Sequence, residues 1–367
     1  MTALRDARVD LLEVPFRTPL VSSAHRWDGR RVALVRLIAG DGLEGIGEVA
    51  AAEPGGLTES IPDRLVADLA NLDPADPVAF HGLLRGIDRW PGIGRAVRSA
   101  VETAAADLLA RAGGRSIAAS QASHPRTRIT VNGLVGIGTP EAAAREAMQL
   151  VAAGFGCVKL KGGSEPRDRL VERAAAVRAA IGPTVRLRLD LNGAWHDESE
   201  AAAALRALAS LDLEYVEQPL APERGPAALA RLRRAAPVPL AADESVDGPE
   251  AALALLETEA VDVLVVKPAR VGGLLQARRI VELAAAFGVP IVVSTLFETG
   301  IGLAAALQLA AALPGEERAH GLATADLLAS DLLAEPLSIS AGGMAVPPGT
   351  GIGVRLDPAA VEAFRIQ

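Results

Sequence analysis

The chain has 367 residues, half of them hydrophobic but only 3% aromatic, so we expect two domains with cores of Ala, Val, Leu and Ile. Its formal net charge is −8, and no run of Lys or Arg could follow a phosphate backbone. Nucleic acid is therefore not expected as a partner, and a single cysteine, Cys157, excludes an internal disulfide. The N-terminal residues carry no export signal, and the longest apolar stretch, 301–313, is too short to cross a bilayer. We expect a cytoplasmic protein without membrane contact.

The first 125 residues predict a small α+β domain. Alternating runs at 8–14 and 32–38 precede an Asp41-Gly42 turn and a third run at 45–49, which indicates an antiparallel sheet. Between about 60 and 112, apolar residues recur at helical spacing. A layer of helices is therefore expected to follow the sheet.

From about residue 130, short β-branched runs alternate with Ala-, Leu- and Arg-rich helical segments, which is typical of parallel βαβ units. The predicted strands are 129–135, 157–161, 185–190, 215–218, 240–243, 261–267, 290–295 and, as the weakest candidate, 320–324. The predicted helices are 140–153, 168–181, 198–211, 226–236, 249–256, 273–287 and 302–313. Seven or eight such units favour an α/β barrel over an open sheet. We divide the chain into a capping domain (1–125), a barrel (126–325) and a tail (326–367) that returns to the cap.

Several predicted strands end in a charged residue, where burial is costly without a partner. These residues are Lys159, Lys161, Asp190, Glu217, Asp243 and Lys267. In a barrel the carboxyl ends of the strands converge on one face, where catalytic groups lie. We therefore expect the three carboxylates to meet at one point.

Three carboxylates without His or Cys favour a hard cation, Mg²⁺ or Mn²⁺, over Zn²⁺. Lys159 and Lys161 are two residues apart, so they lie on the same side of their strand, and Lys267 reaches the site from the opposite wall. Lys159 places a like charge beside Lys161, which favours the neutral amine that a base requires. This arrangement predicts an enzyme that removes a proton next to a carboxylate group.

The motifs resemble the enolase superfamily, in the subgroup named for muconate lactonizing enzyme. The matching strings are Lys159-x-Lys161, Asp190-x-Asn192, Glu217-Gln218-Pro219-Leu220, Asp243-Glu244-Ser245 and Lys267-Pro268, with Gly47-Glu48 and 100–110 in the cap. The resemblance implies a modified (β/α)7β barrel of TIM type with an α+β cap. It also implies metal binding by Asp190, Glu217 and Asp243, a base at Lys161 that Lys159 tunes, and enediolate stabilisation or a second acid/base role for Lys267.

We assign substrate binding to Asn192, Ser294, Thr295 and Gly300. Gly300 opens a helix whose N–H groups could hold an anionic substrate group, but a plain tight turn explains it equally well. Glu244 directly follows Asp243 and is expected to point away from the metal, so we do not count it as a ligand. His320 stays undecided between the core and the substrate pocket.

The absence of two motifs narrows the choice of reaction within the superfamily. The seventh predicted strand has no histidine base of the mandelate racemase type, and the acids Asp326 and Asp331 are spaced unlike the Asp-x-Asp pair of dipeptide epimerases. Segments 16–20, 131–134 and 320–324 are most similar to o-succinylbenzoate synthases, which dehydrate 2-succinyl-6-hydroxy-2,4-cyclohexadiene-1-carboxylate in menaquinone biosynthesis.

The alternatives are an N-succinylamino acid racemase, a dipeptide epimerase, a muconate-type cycloisomerase and, from another class, a non-catalytic metal-binding barrel. Specificity is expected to lie in a cap loop at 21–31 and in the segment 294–299. A homo-oligomer is compatible with the sequence, which does not determine the oligomeric state.

Overall fold

The computed structural model describes residues 4–21, 26–57, 61–69, 72, 74–163 and 165–366. Residues 22–25 of the expected specificity loop, including His25, lie outside the described residues. Within these ranges, no helix is both long enough and apolar enough to cross a membrane.

The N-terminal region folds as predicted, into an antiparallel sheet followed by helices. The sheet has the order β1-β2-β3, with β1 at Leu4–Val21, β2 at Arg26–Ala39 and β3 at Glu44–Val49. The helices are α1 (Ile61–Leu69), α2 (Pro77–Ile87), α3 (Gly94–Ala112) and α4 (Ile117–Gln121). Asp76 and Ser116 begin α2 and α4 as side-chain caps. The cap has its own aliphatic core, formed mainly between the sheet and α3.

Helix α3 packs against β3 at very short range because β3 carries glycine on the face towards the helix. A Cβ atom on Gly47 would lie 2.0 Å from the backbone oxygen of Ala100, and one on Gly45 would lie 2.1 Å from that of Ala104. Strand alternation then turns Glu48 to the opposite face. This face meets the barrel, where the Glu48 carboxylate is buried.

The barrel is a parallel sheet in the order β11-β10-β9-β8-β7-β6-β5. Its strands are β5 (Gly133–Val135), β6 (Cys157–Lys161), β7 (Arg186–Asp190), β8 (Leu213–Glu217), β9 (Leu240–Ala242), β10 (Val263–Val266) and β11 (Ile291–Val293), preceded by β4 (Arg128–Thr130). The helices are α5 (Pro140–Ala152), α6 (Arg167–Ile181), α7 (Glu198–Ala207), α8 (Gly225–Ala235), α9 (Pro249–Glu257), α10 (Pro268–Val271), α11 (Leu274–Phe287) and α12 (Gly300–Ala311). Short 3₁₀ turns lie at 209–211, 222–224 and 325–327. The predicted α/β barrel class is confirmed.

Two details differ from the expectation. The run 129–135 divides into β4 and β5, because β4 pairs with a strand of the C-terminal tail rather than with the barrel. The segment 320–324 forms only single bridges, Val131 with His320 and Ser294 with Gly321. Because these bridges lie on both sides of the segment, it closes the barrel between β11 and β5 without being a regular strand.

The tail runs back along the molecule to the cap. It contains β12 (Ile339–Ser340), β13 (Gly343–Ala345) and α13 (Pro358–Ala363), and β13 pairs with β4. Near its end, the backbone N–H of Ile366 donates to the oxygen of Leu11 in β1 at 2.9 Å. The buried carboxylate of Asp107 fixes the intervening glycine-rich loop by accepting from Ile352 N at 2.7 Å.

Two buried cap carboxylates dock onto the N-termini of barrel helices. Glu48 accepts from the Thr299 N–H at 2.9 Å, from the Thr299 hydroxyl at 2.6 Å and from the Gly302 N–H at 3.1 Å, at the start of α12. Glu102 accepts from the Leu275 N–H at the start of α11. Free N–H groups and the helix dipole favour anions at these positions. Burial raises the pKa of Glu102 to about 7 and also raises the pKa of Glu48.

The close approach of α3 to β3 gives a stability prediction. Gly47→Ala should lower the free energy of unfolding by about 2 to 3 kcal/mol, because the new methyl group meets backbone that must move. Gly82→Ala is the matched control, since Gly82 is exposed inside α2 with nothing within 4 Å of a Cβ. It should raise stability by about 0.5 to 1 kcal/mol. Urea unfolding followed by circular dichroism measures both, and equal stabilities would contradict the packing described here.

Candidate active site

A cavity of about 200 Å³ opens at the carboxyl ends of the barrel strands. Its lining includes seven of the site residues assigned from the sequence, which are Lys159, Lys161, Asp190, Asn192, Lys267, Ser294 and Thr295. A larger cavity of about 400 Å³ lies at the opposite end of the strands, beside Ile291. The smaller cavity is the candidate active site, because the barrel face that it occupies is where such enzymes act.

Strand alternation points Lys159 into the barrel, where it bridges two metal-ligand candidates. Its Nζ lies 3.0 Å from Asp190 Oδ2, and 3.0 and 3.2 Å from the two oxygens of Glu217. All three side chains are buried. Their ion pairs offset the cost of removing the charges from water.

The other two lysines have partners of the same kind. Lys161 Nζ lies 2.7 Å from Asp190 Oδ2 and 2.9 Å from Asn192 Oδ1. Lys267 Nζ lies 2.5 Å from Asp243 Oδ2. The chain has three lysines in all, and every other cationic side chain apart from histidine is an arginine. All three lysines line this cavity, where a side chain that can lose its proton has a use that arginine lacks.

The buried charges shift one another's ionisation. Burial and then Asp190 raise the pKa of Glu217 to about 7. Burial opposes ionisation of Asp190, but Lys159 and Lys161 outweigh it and hold the pKa of Asp190 well below its usual range. Burial also lowers the pKa of Lys159, but Asp190 and Glu217 together raise it well above the usual value. The buried carboxylates at the ends of these adjacent strands therefore require cations close to them.

The oxygen atoms present fit a metal such as Mg²⁺. Asp243 Oδ1 and Glu244 Oε2 are buried without a hydrogen-bond partner in the described part of the chain, and hard cations prefer such oxygen ligands. As they stand, no three acidic, histidine or cysteine side chains among the described residues are close enough to enclose an ion. That Asp190, Glu217 and Asp243 meet at one point thus stays a prediction for the metal-loaded protein.

The sequence analysis expected Glu244 to point away from the metal. In the structure its side chain instead faces the candidate active site. Its Oε1 accepts from Asn192 Nδ2 at 2.9 Å, and it lines the same cavity as Lys267. Burial and then Asp243 raise the pKa of Glu244. Asn192, which we assigned to substrate binding, therefore bridges Lys161 and Glu244 in this structure.

The remaining substrate-binding assignments divide into two groups. Ser294 and Thr295 line the cavity and bond to the segment that closes the barrel, Ser294 Oγ to the Gly321 oxygen at 3.1 Å and Thr295 Oγ1 to Thr324 Oγ1 at 3.0 Å. Gly300 lies outside the cavity lining, and its N–H donates to the Asp331 oxygen at 2.9 Å. The anion at the start of its helix is the Glu48 carboxylate, so the structure leaves no place there for a substrate group.

His320 belongs to the barrel interior rather than to the candidate active site. Its Nδ1 accepts from the Val293 N–H at 2.9 Å, and its ring borders the larger cavity at the opposite end. Burial, with help from Arg188, lowers its pKa to about 3. The ring is therefore neutral at physiological pH and serves the closure of the barrel.

Gln218 is a positioning residue whose role the sequence analysis did not predict. Its Oε1 accepts from the N–H groups of Asp243 and Ser245, both at 3.0 Å. Its Nε2 donates to the Leu220 oxygen at 2.7 Å and to Ser245 Oγ at 2.8 Å. A buried amide with both ends satisfied fixes the loop that follows Glu217 at the end of β8 and the loop after β9 that carries Asp243. The sequence places it in the Glu217-Gln218-Pro219-Leu220 motif but does not show its role, because Asp243 and Ser245 follow another strand.

We expect Gln218→Leu to weaken Mg²⁺ binding about 10- to 100-fold, because the groups that orient metal ligands influence affinity on this scale. Gln276→Leu is the matched control, since it removes another buried amide, on α11. Isothermal titration calorimetry with Mg²⁺ compares the two variants. Unchanged affinity in Gln218→Leu would show that this amide does not position the ligands.

Comparison with known proteins agrees with the fold. A model described as the mandelate racemase / muconate lactonizing enzyme N-terminal domain matches residues 6–120, and one described as enolase C-terminal domain-like matches residues 142–360. The chain is 44% identical over 218 residues to an o-succinylbenzoate synthase of Thermobifida fusca, a match that covers 58% of this chain and 64% of that enzyme.

Two cycloisomerases match along almost the whole length. Muconate cycloisomerase 1-1 of Acinetobacter lwoffii is 29% identical over 360 residues, covering 96% of this chain and 94% of that enzyme. The crystal structure of 2-chloromuconate cycloisomerase from Rhodococcus opacus 1CP has a TM-score of 0.90 at 28% identity, with all of both chains covered. The chain belongs to the mandelate racemase/muconate lactonizing enzyme family of the enolase superfamily.

Proposed function

We propose that this enzyme is a Mg²⁺-dependent o-succinylbenzoate synthase, in which Lys161 removes the proton next to the substrate carboxylate. The observation that carries the proposal is the placement of all three lysines of the chain around one buried set of carboxylates. Asp190, Glu217 and Asp243 would hold the metal, which supplies a Lewis acid for the substrate carboxylate when bound. Mn²⁺ would fit the same oxygen ligands.

The lysines have different surroundings, which suit different roles. Lys159 contacts two carboxylates and is buried, so it is suited to balance charge. Lys161 is more exposed and is held by Asp190 and Asn192, which aim its amine into the cavity. Lys267, on the opposite wall, is placed to hold the oxygen of the enediolate by charge and hydrogen bonding.

The dehydration needs only one acid/base group. Lys161 takes the proton from the carbon next to the carboxylate and passes it to the departing hydroxyl group on the same face of the ring. One C–H and one C–O bond break, a C=C bond forms, and water leaves. Such a syn-elimination fits a cavity in which Lys161 has the most exposed amine of the three lysines.

The choice of reaction is supported by the 44% identity to an o-succinylbenzoate synthase, against 29% to a muconate cycloisomerase. The synthase match spans 64% of that protein, and the arrangement of the lysines in the cavity supports the same reaction. Racemisation of N-succinylamino acids is the second candidate. It is favoured by Lys267, since an amine on the other wall could return the proton to the opposite face.

Turnover of 2-succinyl-6-hydroxy-2,4-cyclohexadiene-1-carboxylate, followed by loss of the diene absorbance, tests the proposal. We expect activity with Mg²⁺ and none after EDTA. Lys161→Ala and Lys161→Arg should each lose at least about 10²- to 10⁴-fold in kcat, the usual contribution of a general base.

Lys161→Arg is the informative variant, because it keeps the positive charge beside Asp190 but cannot act as a base. Retained activity in this variant would rule out Lys161 as the base. A wild-type protein that binds Mg²⁺ but leaves the diene unchanged would refute the synthase assignment. Measurement of N-succinylamino acid racemisation would then decide the second candidate.

A further inference from the structure

Phe297 is held in an unfavourable backbone conformation at the edge of the candidate active site. It follows β11 with a φ of +62°, in the left-handed region that a bulky side chain rarely adopts. Its side chain is half-buried and lines the cavity with Lys161 and Lys267. Strain of this kind persists only where the surroundings impose it, and it gathers at functional sites.

Hydrogen bonds on both sides of Phe297 impose this conformation. The buried carboxylate of Glu298 turns back to accept from the N–H of Leu296, which spans Phe297. On the other side, Thr299 is fixed through both its N–H and its hydroxyl group by Glu48 of the cap. The loop therefore cannot relax at Phe297 without breaking buried hydrogen bonds.

A buried arginine of the cap extends this network. Arg30 lies on β2, and its guanidinium donates to the Ala51 oxygen at 2.5 Å. Its Nε and Nη1 have no hydrogen-bond partner within the described ranges. Its charge acts on both Glu48 and Glu298 and favours their ionised forms, while their charges favour the ionised guanidinium. The cap thus supplies both the anchor and the charge that stabilise the Phe297 loop.

The position of Phe297 in the barrel indicates what it contacts. With the closing segment counted, β11 is four strands away from β7 in either direction, so it lies across the barrel mouth from Asp190. A substrate whose carboxylate is held at the metal-ligand side would extend its body towards β11. Leu296, Ala323 and Leu134 add further apolar lining. An aromatic ring in such a wall packs best against a flat, apolar partner.

We propose that Phe297 is a specificity-determining residue that packs on the conjugated six-membered ring bearing the substrate carboxylate, and that Glu298 and Glu48 hold it there against backbone strain. The inference rests on the proposed function for its choice of ring substrate. A purely structural phenylalanine would not explain the strain, because glycine at 297 would satisfy the same hydrogen bonds without it.

The first experiment tests the strain without reference to any reaction. Phe297→Gly should unfold at a higher temperature than Phe297→Ala, because glycine adopts positive φ freely. Phe155 supplies the matched pair, since it is buried and its φ is not positive. There the order should reverse, with alanine more stable than glycine. The same order at both sites would overturn the proposal.

The second experiment tests the contact by calorimetry on the Mg²⁺-loaded protein. The ring probe is 2-succinylbenzoate, and the acyclic probe is N-succinylglycine. Phe297→Ala should weaken binding of the ring probe about tenfold, the value of a good aromatic contact, and change binding of the acyclic probe less than about twofold. Equal losses for both probes, or no loss, would overturn the assignment.

Variants of Glu298 test whether this residue positions Phe297 or only stabilises the fold. Glu298→Gln can still accept the Leu296 N–H and should bind the ring probe nearly as well as wild type, whereas Glu298→Ala should reproduce the loss of Phe297→Ala. The double variant Phe297→Ala/Glu298→Ala should be no weaker than either single variant if both act through the ring. Additive losses would refute a positioning role for Glu298.

These results are distinguishable from failure of the proposed function. A wild-type protein that binds the ring probe through Phe297 but does not dehydrate the diene would refute the reaction and keep the contact. A wild-type protein that binds neither probe would overturn the contact itself.

Discussion

The arrangement of charged side chains at the barrel mouth depends on one constraint, which is that three lysine amines share a set of buried carboxylates. Three acidic side chains end adjacent strands in a buried place, and their mutual repulsion would be prohibitive without cations. In this structure Lys159, Lys161 and Lys267 supply the positive charge. The same three carboxylates are the ones that we propose as metal ligands. On that proposal the amines and the metal compete for the carboxylates, and metal binding would free lysine amines to meet a substrate.

The cap contributes to this site through charge and close packing rather than through a broad apolar contact alone. Glycines in β3 bring α3 close to the sheet and leave Glu48 facing the barrel. Glu48 then occupies the N-terminus of α12 and fixes the loop after β11. A shift of the cap relative to the barrel would therefore change the position of Phe297 through this hydrogen-bonded loop. In this way the cap would influence substrate choice without contacting the reacting carbon.

Much of this could be predicted from sequence, because period-two alternation and the regular spacing of βα units place Lys159, Asp190, Glu217 and Lys267 at one end of a barrel. What could not be predicted depends on partners far apart in the chain. The role of Gln218 needs the loop after β9, and the anion at Gly300 is a cap residue some 250 positions earlier. The direction of Glu244 and the strain at Phe297 are set by loop conformation, which leaves no periodic pattern.

The most direct test of this account is the NMR spectrum of protein labelled with ¹³C at the lysine Cε, since every lysine signal then comes from the site. Addition of Mg²⁺ should shift all three signals, as the amines leave their carboxylates to the metal. Lys161→Arg assigns one signal and Lys267→Arg a second. Binding of Mg²⁺ shown by calorimetry with no change in any lysine signal would contradict the claim that the amines and the metal share these carboxylates.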